Sequence, residues 1–261
     1  MNRAENATAI GKGGGGVLPL FRKEVRQLLH KPGAVASAVL FPLLFLVIMP
    51  GAMAFFGSMG MPVSPMGGVP MPPGLADLST GNPGLMLRDF NLPLFVALVG
   101  VFEPAFLAVY TIVSEKEKKT IDLLLALPLS LVDIISSKLV AIVAVSLAVT
   151  LPLLVADFVI LAVMGALEVI YVLGFVFLLF TALMFSTSVA MTLGLAAKDY
   201  RTANNLSGIL MGPLILVMLG ILIVLPMGVY RMFLLGGLLL ALCLAVTFVG
   251  VKRYTLERLA V

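Results

Sequence analysis

The sequence predicts an all-α membrane protein with six transmembrane helices, and three observations predict it. Of 261 residues, 61% are hydrophobic and 11% charged, against roughly 45–50% and about 25% in soluble domains. Apolar runs of about twenty residues, the length that a hydrocarbon core of about 30 Å demands, recur along the chain. Lysine and arginine gather in alternate connections between those runs, which fixes a direction for the chain.

Residues 1–17 are polar and then glycine-rich, and read as a flexible cytoplasmic terminus. The GKGGGG beginning at Gly11 lacks the spacing of a phosphate-binding loop, the hydroxyl after the lysine and an apolar strand before it. Residues 18–31 place Leu18, Phe21, Val25, Leu28 and Leu29 on one helical face and Arg22, Lys23, Arg26 and Lys31 largely on the other. That is an amphipathic interfacial helix lying in the headgroup plane, either as a plain anchor or also as a contact for a partner protein.

The six-span domain occupies 32–261, with spans at 34–56, 92–113, 139–163, 169–196, 206–225 and 232–251. The first span is too long and begins too late for a cleavable signal peptide. Pro42, Pro104, Pro152 and Pro213 interrupt backbone bonding inside spans and predict kinks. Asn204 and Asn205 read as caps of the fifth helix, and Gly236 and Gly237 as points of close helix approach. All but two of the 17 lysines and arginines fall in the amino-terminal segment, the second-to-third connection, the fourth-to-fifth connection or the tail. The exceptions are Arg88 and Arg231. Both termini are therefore expected in the cytoplasm of a bacterial or archaeal inner membrane, and an even number of spans agrees with that.

The connection 114–138, SEKEKKTIDLLLALPLSLVDIISSK, begins too charged to cross the bilayer and continues too apolar to remain uncovered. Pro128 ends one helical piece, and Ser130 with Asp133 has the spacing that caps a second. The bland interpretation is an interfacial turn. The sharper one is a helix that plugs into a groove on a separate cytoplasmic protein.

The chain's single Cys243 excludes an intrachain disulfide, and one histidine, His30, leaves no material for a His/Cys metal cluster or a Ser-His-Asp triad. Ser186, Thr187 and Ser188 sit together in the fourth span without a base beside them, which counts against an intramembrane hydrolase. Charges within spans are costly and default to functional hypotheses. Glu103, followed by Pro104, either lines a substrate path or packs between helices; Asp157 either joins Glu168 in an acidic outer mouth or anchors the interface. The outer connection 57–91 is rich in Pro, Gly and Met. Met59, Met61, Met66 and Met71 offer soft thioethers of the kind that hold Cu(I), the alternative being loop filler with no metal bound.

From Val113 to Lys138 the charged start, Thr-Ile-Asp-Leu-Leu-Leu, the Pro-Leu-Ser corner and the closing lysine resemble the signature of ABC-2-type exporter permeases, including members that export sodium or drugs. Lys119 stands where many members carry glycine. The resemblance implies a coupling helix between spans two and three that docks on an ATPase subunit, with Glu115, Lys118, Lys119, Thr120, Ile121, Asp122, Leu123, Leu124, Leu125, Pro128, Ser130, Asp133 and Lys138 as coupling residues. It also implies that Phe21, Arg22, Lys23, Val25, Arg26, Leu28 and Leu29 form the family's interfacial connecting helix. On this resemblance the chain is no enzyme and binds no cofactor; ATP and Mg belong to the partner ATPase. A second permease copy or a paralogue, and membrane lipid, complete the partners, with no nucleic acid. The competing class is a self-sufficient secondary transporter or channel with Glu103 and Asp157 as a relay, for which the chain shows no convincing internal repeat.

Overall fold

The computed structural model of the chain describes residues 17–29, 32–59, 82–117, 131–197 and 200–259. These residues form seven helices and, among them, no strand. Helix α1 is Val17–Leu29. Helix α2 joins Pro32–Leu43, a π-helical Leu44–Ile48 and Met49–Ser58. Helix α3 joins Pro83–Met86, a second π-helical stretch Leu87–Asn91 and Leu92–Glu117. Helices α4, α5, α6 and α7 are Leu131–Val163, Val169–Ala196, Tyr200–Val224 and Tyr230–Leu259. Six of them, α2 to α7, carry segments long and apolar enough to cross a membrane, so the chain is a multi-pass membrane protein.

Two boundaries differ from the sequence expectation. Residues 82–91, expected in a loop, are capped helix: the Asn82 side chain accepts hydrogen bonds from the backbone N–H groups of Gly84 (3.0 Å) and Leu85 (3.3 Å), and Pro83 opens the first turn. The span thus begins at Pro83, with Arg88 and Asp89 inside it. Asn204 and Asn205 do not cap α6, which starts at Tyr200 and carries them one turn inside.

Both π-helical stretches precede a proline. Pro50 and Pro93 have no N–H for the carbonyls four residues back, those of Leu46 and Asp89, and each of these lies within the widened turn. A π turn relieves the clash of the proline ring with the preceding turn at the cost of freeing a carbonyl. The helices run on through Pro104, Pro152 and Pro213.

The bundle is built around α3 and α5. Of their span windows 72% and 56% are buried, against 17–33% for the other four, so those two form the core and the rest present apolar side chains outward. The α3–α5 approach is close because Gly100 faces Ala182; a Cβ on Gly100 would lie 2.5 Å from the Ala182 Cβ. On its other side α5 meets α7 at Gly236, where a Cβ would lie 2.5 Å from the Phe177 ring. Gly237 faces open space. Helix α2 leans on α3 through aromatic contacts, Phe41 with Phe102 at 6.0 Å and Phe45 with Phe95 at 5.8 Å between centroids. Gly165, at φ 68°, turns the chain from α4 toward α5 and lets the Ala166 N–H reach the Leu161 carbonyl at 2.9 Å.

Candidate functional site

Polar groups collect at three levels along the bundle. At the end where α1 lies, α1 packs on the first turns of α4. Its inward face is Phe21, Glu24, Val25 and Leu28, with Leu28 and Glu24 buried, while Arg22, Lys23 and Arg26 are exposed. The amphipathic reading of α1 therefore describes a helix whose apolar face meets protein. Glu24, unremarked in the sequence, sits in the middle of that face because 21, 24, 25 and 28 share the i, i+3, i+4, i+7 spacing. Its Oε1 accepts from Lys138 Nζ at 2.8 Å, both side chains being at most 6% exposed. The second oxygen, Oε2, has no partner among the described residues.

Lys138 is thus an inward-facing residue two turns into α4, beside buried Ser137. Glu115 and Asp133 lie in α3 and α4, and Leu29 closes α1. Lys118, Lys119, Thr120, Ile121, Asp122, Leu123, Leu124, Leu125, Pro128 and Ser130 lie outside the described residues, as do Met61, Met66 and Met71. Met59, just past α2, is exposed.

At mid-bundle Glu103 of α3 is fully enclosed, and its Oε1 accepts from Ser146 Oγ of α4 at 3.0 Å. Glu103 Oε2 has no partner among the described residues. Thr150 Oγ1 donates back to the Ser146 carbonyl at 2.8 Å, and Ser186 Oγ of α5 donates to the Val101 carbonyl. Thr187 and Ser188 donate to the carbonyls of Leu183 and Met184 at 2.7 and 2.8 Å. The hydroxyl trio of α5 is thus consumed in helix-to-helix and back-bonded contacts, with no nucleophile–base pair.

Asp157 is also fully buried, and neither of its oxygens has a partner among the described residues. It shares the Ser146–Thr150 face of α4, eleven residues beyond Ser146, which is about 16 Å along a helix. Glu103 and Asp157 are therefore two separate buried acids.

At the end opposite α1 a charged network joins three turns. Arg88 donates to Asp89 Oδ2 (2.8 Å), to Glu168 Oε1 (2.6 Å) and to the Ala166 carbonyl (3.3 Å), with its guanidinium 4.1 Å from the Tyr171 ring centroid. Arg231, 1% exposed, donates through Nε to the Pro226 carbonyl (2.6 Å), through Nη1 to the Asp89 carbonyl (3.2 Å) and through Nη2 to the Leu225 carbonyl. The Asp89 carbonyl is the one that Pro93 leaves without an N–H. The expected acidic mouth of Asp157 and Glu168 is not formed: Glu168 is exposed and paired with Arg88, whereas Asp157 faces inward. The sequence signal for the network was the pair of arginines on the wrong side of the charge rule, both of which are engaged here.

Among the described residues no group of three or more His, Cys, Asp or Glu side chains could hold a metal ion. A family model described as "ABC-2 family transporter protein" matches residues 18–236, from α1 into α7. No curated protein matches the chain.

Proposed function

We propose that this chain, which belongs to the ABC-2 transporter family and is the permease subunit of an ABC transporter, couples ATP hydrolysis on a separate nucleotide-binding subunit to export of its substrate. In this reading the α1 end faces the cytoplasm and the Arg88–Arg231 end faces outward. The ATPase docks on the 114–138 connection, and ATP and Mg stay on that partner. Two permeases, identical or paralogous, form the path between them, and rocking of the two halves alternates access.

The observation that carries the reading is the family match, which spans the whole 114–138 connection. The charge distribution supports the orientation: Arg88 and Arg231 are the two basic residues at the far end, and their ion pairs and carbonyl contacts remove the cost of placing them there. The clasp of α1 onto α4 supports a coupling role for 114–138, because Lys138, the last residue of that connection, holds Glu24 of α1. The competing self-sufficient transporter rests on the unpartnered oxygens of Glu103 and Asp157. Their separation of about three helical turns gives them no direct proton path to each other.

The test is ATPase activity of a candidate nucleotide-binding subunit reconstituted with the chain, wild type against Leu124→Glu/Leu125→Glu. Two carboxylates in the centre of an apolar docking surface cost at least about 3 kcal/mol, more than about a hundredfold in affinity. Stimulation by wild type that the double substitution abolishes supports coupling. Solute flux from the chain alone, indifferent to the substitution and to ATP, overturns it.

A further inference from the structure

We propose that Glu24 is a positioning residue for coupling: its buried ion pair with Lys138 locks the interfacial helix to α4, so that motion delivered at the 114–138 connection moves α1 and α4 as one unit. The inference rests on the exporter reading and adds to it the element that receives the motion.

Four features of the structure lead there. First, the pair joins residues 114 positions apart, so it is a tertiary contact that sequence proximity does not explain. Second, both charges are nearly inaccessible. Charges kept out of water are costly unless compensated, and removing one member of a buried pair leaves the other uncompensated, which is strongly disfavoured. Third, Glu24 shares one face of α1 with Val25 and buried Leu28, and Lys138 lies beside buried Ser137 of α4, so α1 cannot slide along α4 without pulling the charges apart. Fourth, the contact is placed at the second turn of α4, at the residue that closes the connection proposed to touch the ATPase.

Only one carboxylate oxygen of Glu24 takes part, since Oε2 has no partner among the described residues. A bidentate arrangement would hold one geometry only. Contact through one oxygen of Glu24 holds the two helices in register yet tolerates a small rotation of α1 about its axis, as a transmitting joint requires. The exposed Arg22 and Lys23 on the opposite face let α1 remain at the headgroup surface while its inner face moves with α4.

The test uses the full permease with its ATPase in lipid vesicles and compares Glu24→Lys, Lys138→Glu, the exchanged double variant, and Glu24→Gln/Lys138→Met. Three quantities are read: permease-dependent stimulation of ATP hydrolysis, affinity of the ATPase for the permease, and protection of buried Cys243 from a maleimide as a measure of folding. Each single variant is expected to lose stimulation about tenfold or more, and the exchanged pair to recover to within about threefold of wild type. The neutral pair replaces the charges with side chains of similar volume, a change that buried ion pairs often tolerate without loss of stability. It is expected to keep Cys243 protected and ATPase affinity within about threefold while stimulation falls about tenfold.

Stimulation retained by the single variants or by the neutral pair overturns the proposal. So does an exchanged pair as defective as the singles. A neutral pair that loses ATPase binding and stimulation in proportion also overturns it, since the residues would then shape the docking surface and not carry motion. If wild type stimulates no ATPase and Leu124→Glu/Leu125→Glu changes nothing, the exporter reading itself fails and the proposal falls with it; wild-type stimulation with a failed exchange rejects the positioning role alone.

Discussion

Replacing Arg231 with methionine tests the far-end network most directly. The guanidinium donates to three carbonyls, those of Asp89, Leu225 and Pro226, and is 1% exposed. Methionine keeps most of the volume and none of the donors. The exposed Pro226 carbonyl also accepts from the Tyr230 hydroxyl, which stays in place, so little is lost there. The Asp89 carbonyl lies in the buried first turns of α3, has no N–H four residues on because of Pro93, and loses its Arg231 donor, which costs about 1–3 kcal/mol. The half-buried Leu225 carbonyl adds up to about 1 kcal/mol, and Asp89 loses part of its counter-charge. A total of about 3 kcal/mol corresponds to roughly a hundredfold in the unfolding equilibrium. The chain supplies its own probe: Cys243 is its one cysteine and is buried in the same helix, α7. It lies twelve residues from Arg231, about 18 Å along the helix, so fraying of the nearby turn does not expose it. Under conditions where opening and reclosing outpace labelling, the maleimide reaction rate follows the open population. We expect about a hundredfold acceleration for Arg231→Met and a smaller one for Arg231→Lys, which keeps the charge and loses the fork. A rate within threefold of wild type for Arg231→Met would show that these hydrogen bonds contribute nothing, and the reasoning would be wrong.

Two further substitutions separate packing from polar satisfaction. Gly100→Ala places a Cβ 2.5 Å from the Ala182 Cβ, which cannot swing away; it should destabilise by about 1–3 kcal/mol, whereas Gly208→Ala, with nothing within 4 Å, should leave the isolated chain as stable or up to about 1 kcal/mol more so. Thermal melting of the two in the same detergent decides. Ser146→Ala leaves Glu103 Oε1 without its donor and should cost about 1–3 kcal/mol, while Glu103→Gln keeps an acceptor for Ser146 and should melt near wild type. A transport loss in Glu103→Gln at unchanged stability would place Glu103 in the substrate path; unchanged transport would make it a packing residue.

The apolar lengths that locate six spans are local properties, and the structure carries six because each membrane helix satisfies its own backbone. The two faces of α1 were legible for the same reason, since helical spacing alone places Leu28 opposite Arg22 and Arg26. The family signature in 114–138 was legible as a pattern of residues, although 118–130 lies outside the described structure. The start of α3 was missed because Arg88 and Asp89 look too polar for a span. The Asn82–Pro83 cap was the local signal that could have found it. Asn204 and Asn205 were misread as caps because a good capping residue can equally sit inside a helix whose first turn begins earlier.

What the sequence by itself determined, then, is how many helices cross the membrane and which connections are basic, because hydrocarbon length and charge placement act on each segment alone. Only the tertiary structure decided the partners of the charges. Lys138 finds Glu24 across 114 residues, Arg88 finds Glu168 across 80, and Arg231 finds the Asp89 carbonyl across 142. Each is a burial problem that a segment cannot solve with its own atoms: a charge taken out of water needs a counter-charge or an acceptor in place, and the packing of helices distant in sequence is what brings one there.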